Sequence, residues 1–218
     1  MSKAKAWHSL TFVLIAAAIL TQLVLTIQGS GVQLAPDGSI AGTGERVLRF
    51  FSFFTIQSNL LAAGTALALI LRPDRDGRTW RVLRVSAILG MTVTFITYMA
   101  VLRPIVHVQG ISKLTDIAFH YIAPPLTVIG WYLFGPWPRI DVTTLLRHLA
   151  WPFLYFSYTL VLGASTGWYP YPFIDAGKLG YPHVLRNALA LTLMLLILGA
   201  IYHVLDTRLG KAKAQPPR

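Results

Sequence analysis

The sequence predicts an all-α, polytopic membrane protein with six transmembrane helices and both termini in the cytoplasm. Two observations predict it. Of 218 residues, 55% are hydrophobic and 12% charged, and apolar blocks of about twenty residues recur from end to end. Each block is long enough to cross ~30 Å of hydrocarbon as a helix. The basic residues, in turn, sort by loop rather than into one stripe.

The apolar windows, read against Gly, Pro and charge punctuation, fall at 8–28, 47–71, 81–102, 114–135, 145–165 and 184–205. The first follows Lys3 and Lys5, and its apolar stretch is longer than the core of a secretory signal, so it is expected to be a retained helix. The second starts near Arg46 and Arg49 and stops at Arg72; the third lies between an arginine cluster and Arg103. The fourth follows Lys113, the fifth runs into the aromatic, proline-rich segment "GASTGWYPYPFID", and the sixth precedes a short basic tail, 208–218. One domain, 1–218, is expected.

Numbering the loops alternately puts Lys3, Lys5, Arg72, Arg75, Arg78, Arg81, Arg84, Arg139, Arg147, Arg208, Lys211, Lys213 and Arg218 on one side. Only Arg46, Arg49, Arg103, Lys113, Lys178 and Arg186 fall on the other, so the richer side is expected to be cytoplasmic. A net charge of +11 divided in this way leaves no soluble basic face, which excludes nucleic acid as a partner. The absence of cysteine excludes disulfides and thiolate chemistry. Of six histidines, only His120 lies at depth within a span; His8, His107, His148, His183 and His203 sit at or near span ends. Neither a haem pair nor a zinc set is expected, and no cofactor or metal.

Polar residues inside the second and fourth spans carry the functional signal. Ser52, Thr55 and Asn59 fall at i, i+3 and i+7 of one helix, with Ser58 on the flank and Gln57 between them. Such a stripe alone commonly bonds to neighbouring helices. The fourth span, however, contains "DIAFHYIAPPL", which places an imidazole one turn after Asp116 and just ahead of two prolines. Ionisable groups at that depth face a cavity or a polar partner. Counted from the outer ends, Thr55 lies ~9 Å and His120 ~10 Å deep, at a common level. A threonine hydroxyl needs a base to take its proton as it attacks, and His120 is the candidate. In a continuous helix the backbone N–H groups are already used, so oxyanion donors are sought among Asn59, Gln57 and Tyr121, with Asn59 preferred. Asp116 either orients His120 or caps the start of its span. The segment with Trp168 and Tyr169 reads as an interfacial cap or as a lid over the site.

These residues resemble a known family. "FFTIQSNLL", "DIAFHYIAPPLTVIGW" and "GWYPYPFID" are similar to segments of the androgen-induced and androgen-dependent membrane threonine hydrolases, and more so to their bacterial six-helix relatives. The resemblance implies cleavage of fatty acid esters of hydroxy fatty acids (FAHFA), or similar acyl lipids, in a bacterial plasma membrane. It places the nucleophile on Thr55 and the histidine on His120, which the loop charges and the depth count put in the outer half of the membrane. Asn59 is the third expected catalytic residue, with Ser52, Gln57, Ser58, Asp116, Tyr121, Trp168 and Tyr169 expected to contact the substrate. The alternative is a transporter, or a lipid- or small-molecule-binding protein without catalysis; no inverted repeat or pair of broken helices supports transport.

Overall fold

The computed structural model describes residues 1–30 and 41–214, and among them the only regular structure is helical. Five helices are long and apolar enough to cross a bilayer: Lys3–Ile27, Phe54–Leu71, Arg78–Leu102, Ile111–Phe134 and Tyr181–Ala214. They correspond to the first, second, third, fourth and sixth predicted spans. The fifth predicted span instead forms two helices, Val142–His148 and Ala150–Thr166, the longer having 17 residues.

In chain order the helices are α1 (Lys3–Ile27), α2 (Thr43–Ser52), α3 (Phe54–Leu71) and α4 (Arg78–Thr97). There follow α5 (Ile111–Ile117), α6 (Ala123–Phe134), α7 (Val142–His148), α8 (Ala150–Thr166), α9 (Ala176–Leu179) and α10 (Tyr181–Ala214). A widened π turn, Tyr98–Leu102, extends α4, and a second, Ala118–Ile122, joins α5 to α6. Helices α1, α3, α4 and α6 form the packed centre, with Ile15, Ala62, Ala87, Met91 and Ala123 buried between them. The indole of Trp7 donates to the Leu126 carbonyl at 2.9 Å. Gly130 permits this approach, because a Cβ there would lie 2.8 Å from the Trp7 indole nitrogen.

The second predicted span is not one helix. Phe53 is extended (φ −74°, ψ 129°) and separates α2 from α3. A break strands backbone groups, and each unsatisfied one in an apolar interior costs several kcal/mol. Side chains satisfy three of them. Gln57 Nε2 donates to the Phe51 carbonyl at 3.1 Å, the Tyr155 hydroxyl donates to the Ser52 carbonyl at 3.2 Å, and the Thr55 N–H donates to the Tyr171 hydroxyl at 3.1 Å. The Phe53 ring is held edge-on by Trp168 and Tyr171, at centroid distances of 5.8 and 5.6 Å.

Helix α10 also departs from expectation, continuing through the first part of the predicted tail as far as Ala214; residues 215–218 lie outside the described set. Basic side chains at a helix C-terminus complement its negative end, and Lys213 lies over the Trp137 ring at 5.1 Å. The buried Asp206 ties α10 to the preceding loop by accepting from the Arg139 and Ile140 N–H groups, at 2.5 and 2.8 Å.

The loop from Gly167 to Asp175 folds back onto α8, packing with Tyr155, Phe156 and Leu160, and its tightest approach is at Gly163, where a Cβ would lie 2.0 Å from the Tyr169 ring. Gly163→Ala should therefore displace the ring and cost roughly 1–3 kcal/mol. Thermal unfolding in detergent measures this; an unchanged midpoint would mean the loop is not seated on α8.

Candidate active site

Breaking the helix at Phe53 places Thr55 in the first turn of α3, where backbone N–H groups have no intrahelical acceptor. The expectation that these donors are already used is thereby corrected. The Thr55 N–H points to the Tyr171 hydroxyl, and the Thr55 hydroxyl lies 3.3 Å from the same oxygen. Burial pushes the pKa of the Tyr171 hydroxyl up, so it remains a proton donor at neutral pH.

On the other side, Thr55 Oγ1 is 3.3 Å from His120 Nε2. The far nitrogen of the ring, Nδ1, lies 3.0 Å from Asp116 Oδ1 and 3.1 Å from the Asp116 carbonyl. The Tyr98 hydroxyl donates to Asp116 Oδ2 at 2.6 Å, and the Tyr98 ring stacks on the imidazole, centroids 3.9 Å apart and planes 13° from parallel. Hydroxyl, imidazole and carboxylate thus stand in line, with a tyrosine fixing the last two. Thr55 is 8% exposed, and the His120 and Asp116 side chains are 12% and 16% exposed.

Proline supplies the local geometry. Pro124 and Pro125 have no N–H to offer the His120 and Tyr121 carbonyls. The chain widens ahead of them, and the Ala123 N–H reaches five residues back to the Ala118 carbonyl. Ahead of Pro104, the Arg103 N–H likewise reaches the Tyr98 carbonyl at 2.8 Å. Both π turns carry residues of the site, a recurrent use of such turns.

Other residues singled out from the sequence occupy different places. Asn59 is fully buried and donates to the Thr55 carbonyl at 2.9 Å, rather than turning toward the hydroxyl. Gln57 serves the helix break and accepts from the Trp151 indole at 3.2 Å. Ser52, across the break, meets the Tyr158 hydroxyl at 2.8 Å, and buried Ser58 lies against Gly90 of α4. The stripe Ser52, Thr55, Asn59 therefore does not form one helical face. Tyr121 packs edge-on against Tyr98 at 5.5 Å. Trp168 covers Phe53 and the Arg49 guanidinium, which pairs with Glu45, and Tyr169 rests on Gly163. The loop residue that reaches Thr55 is Tyr171. Neither it nor Tyr98 was expected; the only signal for Tyr171 was its place in the aromatic segment already marked as a cap.

Beside Thr55 lies an apolar cavity of about 580 Å³, well within the range that holds a lipid-sized ligand. Thr55, Tyr155 and Tyr171 line one end, and Leu146, Leu149 and Ala150 the other. His120 and Asp116 do not line it. Among the described residues no cluster of three metal-ligating side chains occurs. No family model, curated protein or solved structure matches the chain.

With Nδ1 bonded to Asp116, the His120 proton is expected on Nδ1, leaving Nε2 bare toward Thr55. Histidine ¹⁵N NMR of the solubilised protein should show that tautomer, and Asp116→Asn should remove the downfield Nδ1 proton signal. An Nε2-protonated ring in the parent protein would contradict the arrangement.

Proposed function

We propose that the protein is an integral-membrane lipid ester hydrolase with a threonine nucleophile, acting on fatty acid esters of hydroxy fatty acids or similar acyl lipids. The observation that carries this reading is the line Thr55, His120, Asp116, with spacings of 3.3 and 3.0 Å, at the end of an apolar cavity. The resemblance of the three sequence segments to membrane threonine hydrolases adds to it.

In the proposed reaction Thr55 Oγ attacks the ester carbonyl carbon as His120 Nε2 takes its proton. Asp116 keeps the imidazole oriented and balances its charge. Tyr171, whose hydroxyl proton is not committed to the Thr55 N–H, donates to the tetrahedral oxyanion, and the positive end of α3 lies beneath it. The intermediate collapses when the alcohol oxygen leaves with the proton from His120. Water, activated by the same ring, then attacks the acyl-threonine, releases the fatty acid and restores the hydroxyl. Neither metal nor cofactor enters these steps. The spacing of 3.3 Å is at the long end of a hydrogen bond, as is common before substrate binds.

The topology is part of the proposal. Six crossings follow if α7 and α8 cross together, joined through Leu149 in right-handed helical backbone (φ −60°, ψ −21°). The richer share of Lys and Arg then lies in the cytoplasm of a bacterial cell. Thr55, near the start of α3, would sit in the outer half of the plasma membrane. A non-catalytic lipid-binding protein accounts for the cavity, but gives no role to an imidazole held between a carboxylate and a threonine hydroxyl.

Thr55→Ala and His120→Ala should each lower hydrolysis of long-chain esters by on the order of 10³ or more, with little change in thermal midpoint. Tyr171→Phe should cost ~10² in kcat. Steady-state assays in detergent measure all three, and full turnover in Thr55→Ala would remove the assignment. A fluorophosphonate probe should label Thr55; a labelled peptide elsewhere would move the nucleophile.

A further inference from the structure

The cavity beside Thr55 is open on one flank. Helix α8 packs on α7 and α9, while α10 packs on α9, α4 and the turn Pro172–Ile174, so no extended seam joins α8 to α10 among the described residues. At the Thr55 end the turn Pro172–Ile174 bridges to α10, where Asn187 donates to the Phe173 carbonyl at 2.9 Å. Below that bridge the cavity lies between α8 and α10. Its inner wall is Val93, Thr94 and Leu195, and its rim is Leu146, Ala150 and Phe153 on one side with Ala188 and Thr192 on the other. Leu146 and Phe153 are 62% and 70% exposed. The Thr192 hydroxyl is turned back onto the Ala188 carbonyl at 2.8 Å, which leaves this rim apolar.

An aqueous route would not keep so apolar a rim, whereas hydrocarbon suits it without cost. From Phe156 to Leu146 is on the order of 15 Å of helix, room for an extended acyl chain rather than for a headgroup. The polar flank of Thr55 is the opposite one: His120 and Asp116 do not touch the cavity, although both are partly exposed. The site therefore has an apolar flank and a polar flank, divided at the hydroxyl.

Resting on the hydrolase reading, we propose that the acyl chain of the substrate reaches Thr55 sideways from the bilayer through the gap between α8 and α10. The alcohol is released on the His120 side, which is also where water arrives. The ester carbonyl then lies at the boundary between the two flanks, with its acyl carbon over Thr55 and its alcohol oxygen toward the imidazole that protonates it. A substrate bound the other way round would place its leaving oxygen away from His120.

The chain contains no cysteine, so single cysteines report access without background. Ala188→Cys and Leu191→Cys line the cavity, and Leu193→Cys, on an exposed part of α10, is the control. Each is placed in Thr55→Ala protein in phosphatidylcholine vesicles. The probes are a bilayer-soluble pyrene maleimide and a membrane-impermeant charged methanethiosulfonate. The competitor is a dialkyl ether analogue of the ester, which cannot be cleaved. The bilayer-soluble reagent should label both cavity positions and the impermeant one neither. The ether, at about ten times its Kd, should slow cavity labelling roughly tenfold by mass action and leave Leu193→Cys unchanged. Labelling by the impermeant reagent, or no protection by the ether, would overturn the lateral route. Ester hydrolysis by the parent protein is measured alongside. Protection without hydrolysis keeps the acyl site and sinks the enzyme reading; hydrolysis without protection does the reverse.

Discussion

One extended residue, Phe53, organises the site. If α2 ran unbroken into α3, the Thr55 N–H would be tied to the carbonyl four residues back and Tyr171 would have no backbone partner there. The break releases the N–H, turns the start of α3 toward the loop, and allows a tyrosine hydroxyl to rest against both the nitrogen and the side-chain oxygen of Thr55. What would otherwise be a defect in an apolar helix is satisfied from three directions, by Gln57, Tyr155 and Tyr171. Two aromatic rings hold the kink closed. The polar residues of "TIQSN" thus divide into one that faces the imidazole and others that make its setting tolerable. Gln57 repairs the break, and Asn59 secures the first turn from beneath.

The facing half of the site is built on the same logic. Prolines remove donors, the helix widens to find others, and the widened turns present Tyr98 and His120 toward each other. An imidazole stacked on a ring and bonded to a carboxylate has little rotational freedom left, so its second nitrogen keeps a fixed direction. That orientation is set before any ligand arrives, and in the proposed reaction it lowers the entropy cost of assembling the reacting groups. Because Asp116 also accepts from the Tyr98 hydroxyl, both of its carboxylate oxygens have a partner within the cluster.

The sequence carried much of this. Long apolar windows announced the spanning helices, since in lipid a helix must satisfy its own backbone and leaves a continuous hydrophobic record. Thr55 and His120 stood out because polar groups at that depth need a reason. The break at Phe53 left no such record: phenylalanine is common in helices, and the extended conformation arises from Tyr155, Tyr171 and Trp168, all more than a hundred positions away. Hence the stripe of Ser52, Thr55 and Asn59 falls on two helices rather than one, and the side chain that lies against the Thr55 hydroxyl is Tyr171, while Asn59 turns to the Thr55 carbonyl. Tyr98 was hidden for a different reason. Inside an apolar span a tyrosine reads as bulk, and its hydroxyl gains meaning only once Asp116 is brought beside it by α5. The fifth span shortened because Trp151, Pro152 and their neighbours begin a new helix after Leu149, a boundary that an apolar window does not register.

The central claim is that the Thr55 oxygen forms a covalent bond to the acyl group during turnover. Acid-quenching the solubilised protein during hydrolysis of an activated long-chain ester, followed by peptide mass spectrometry, observes that bond directly. The account predicts a single acyl adduct on Thr55 that disappears as substrate is exhausted. Rapid turnover with unmodified Thr55, or with the acyl group on another side chain, would contradict it.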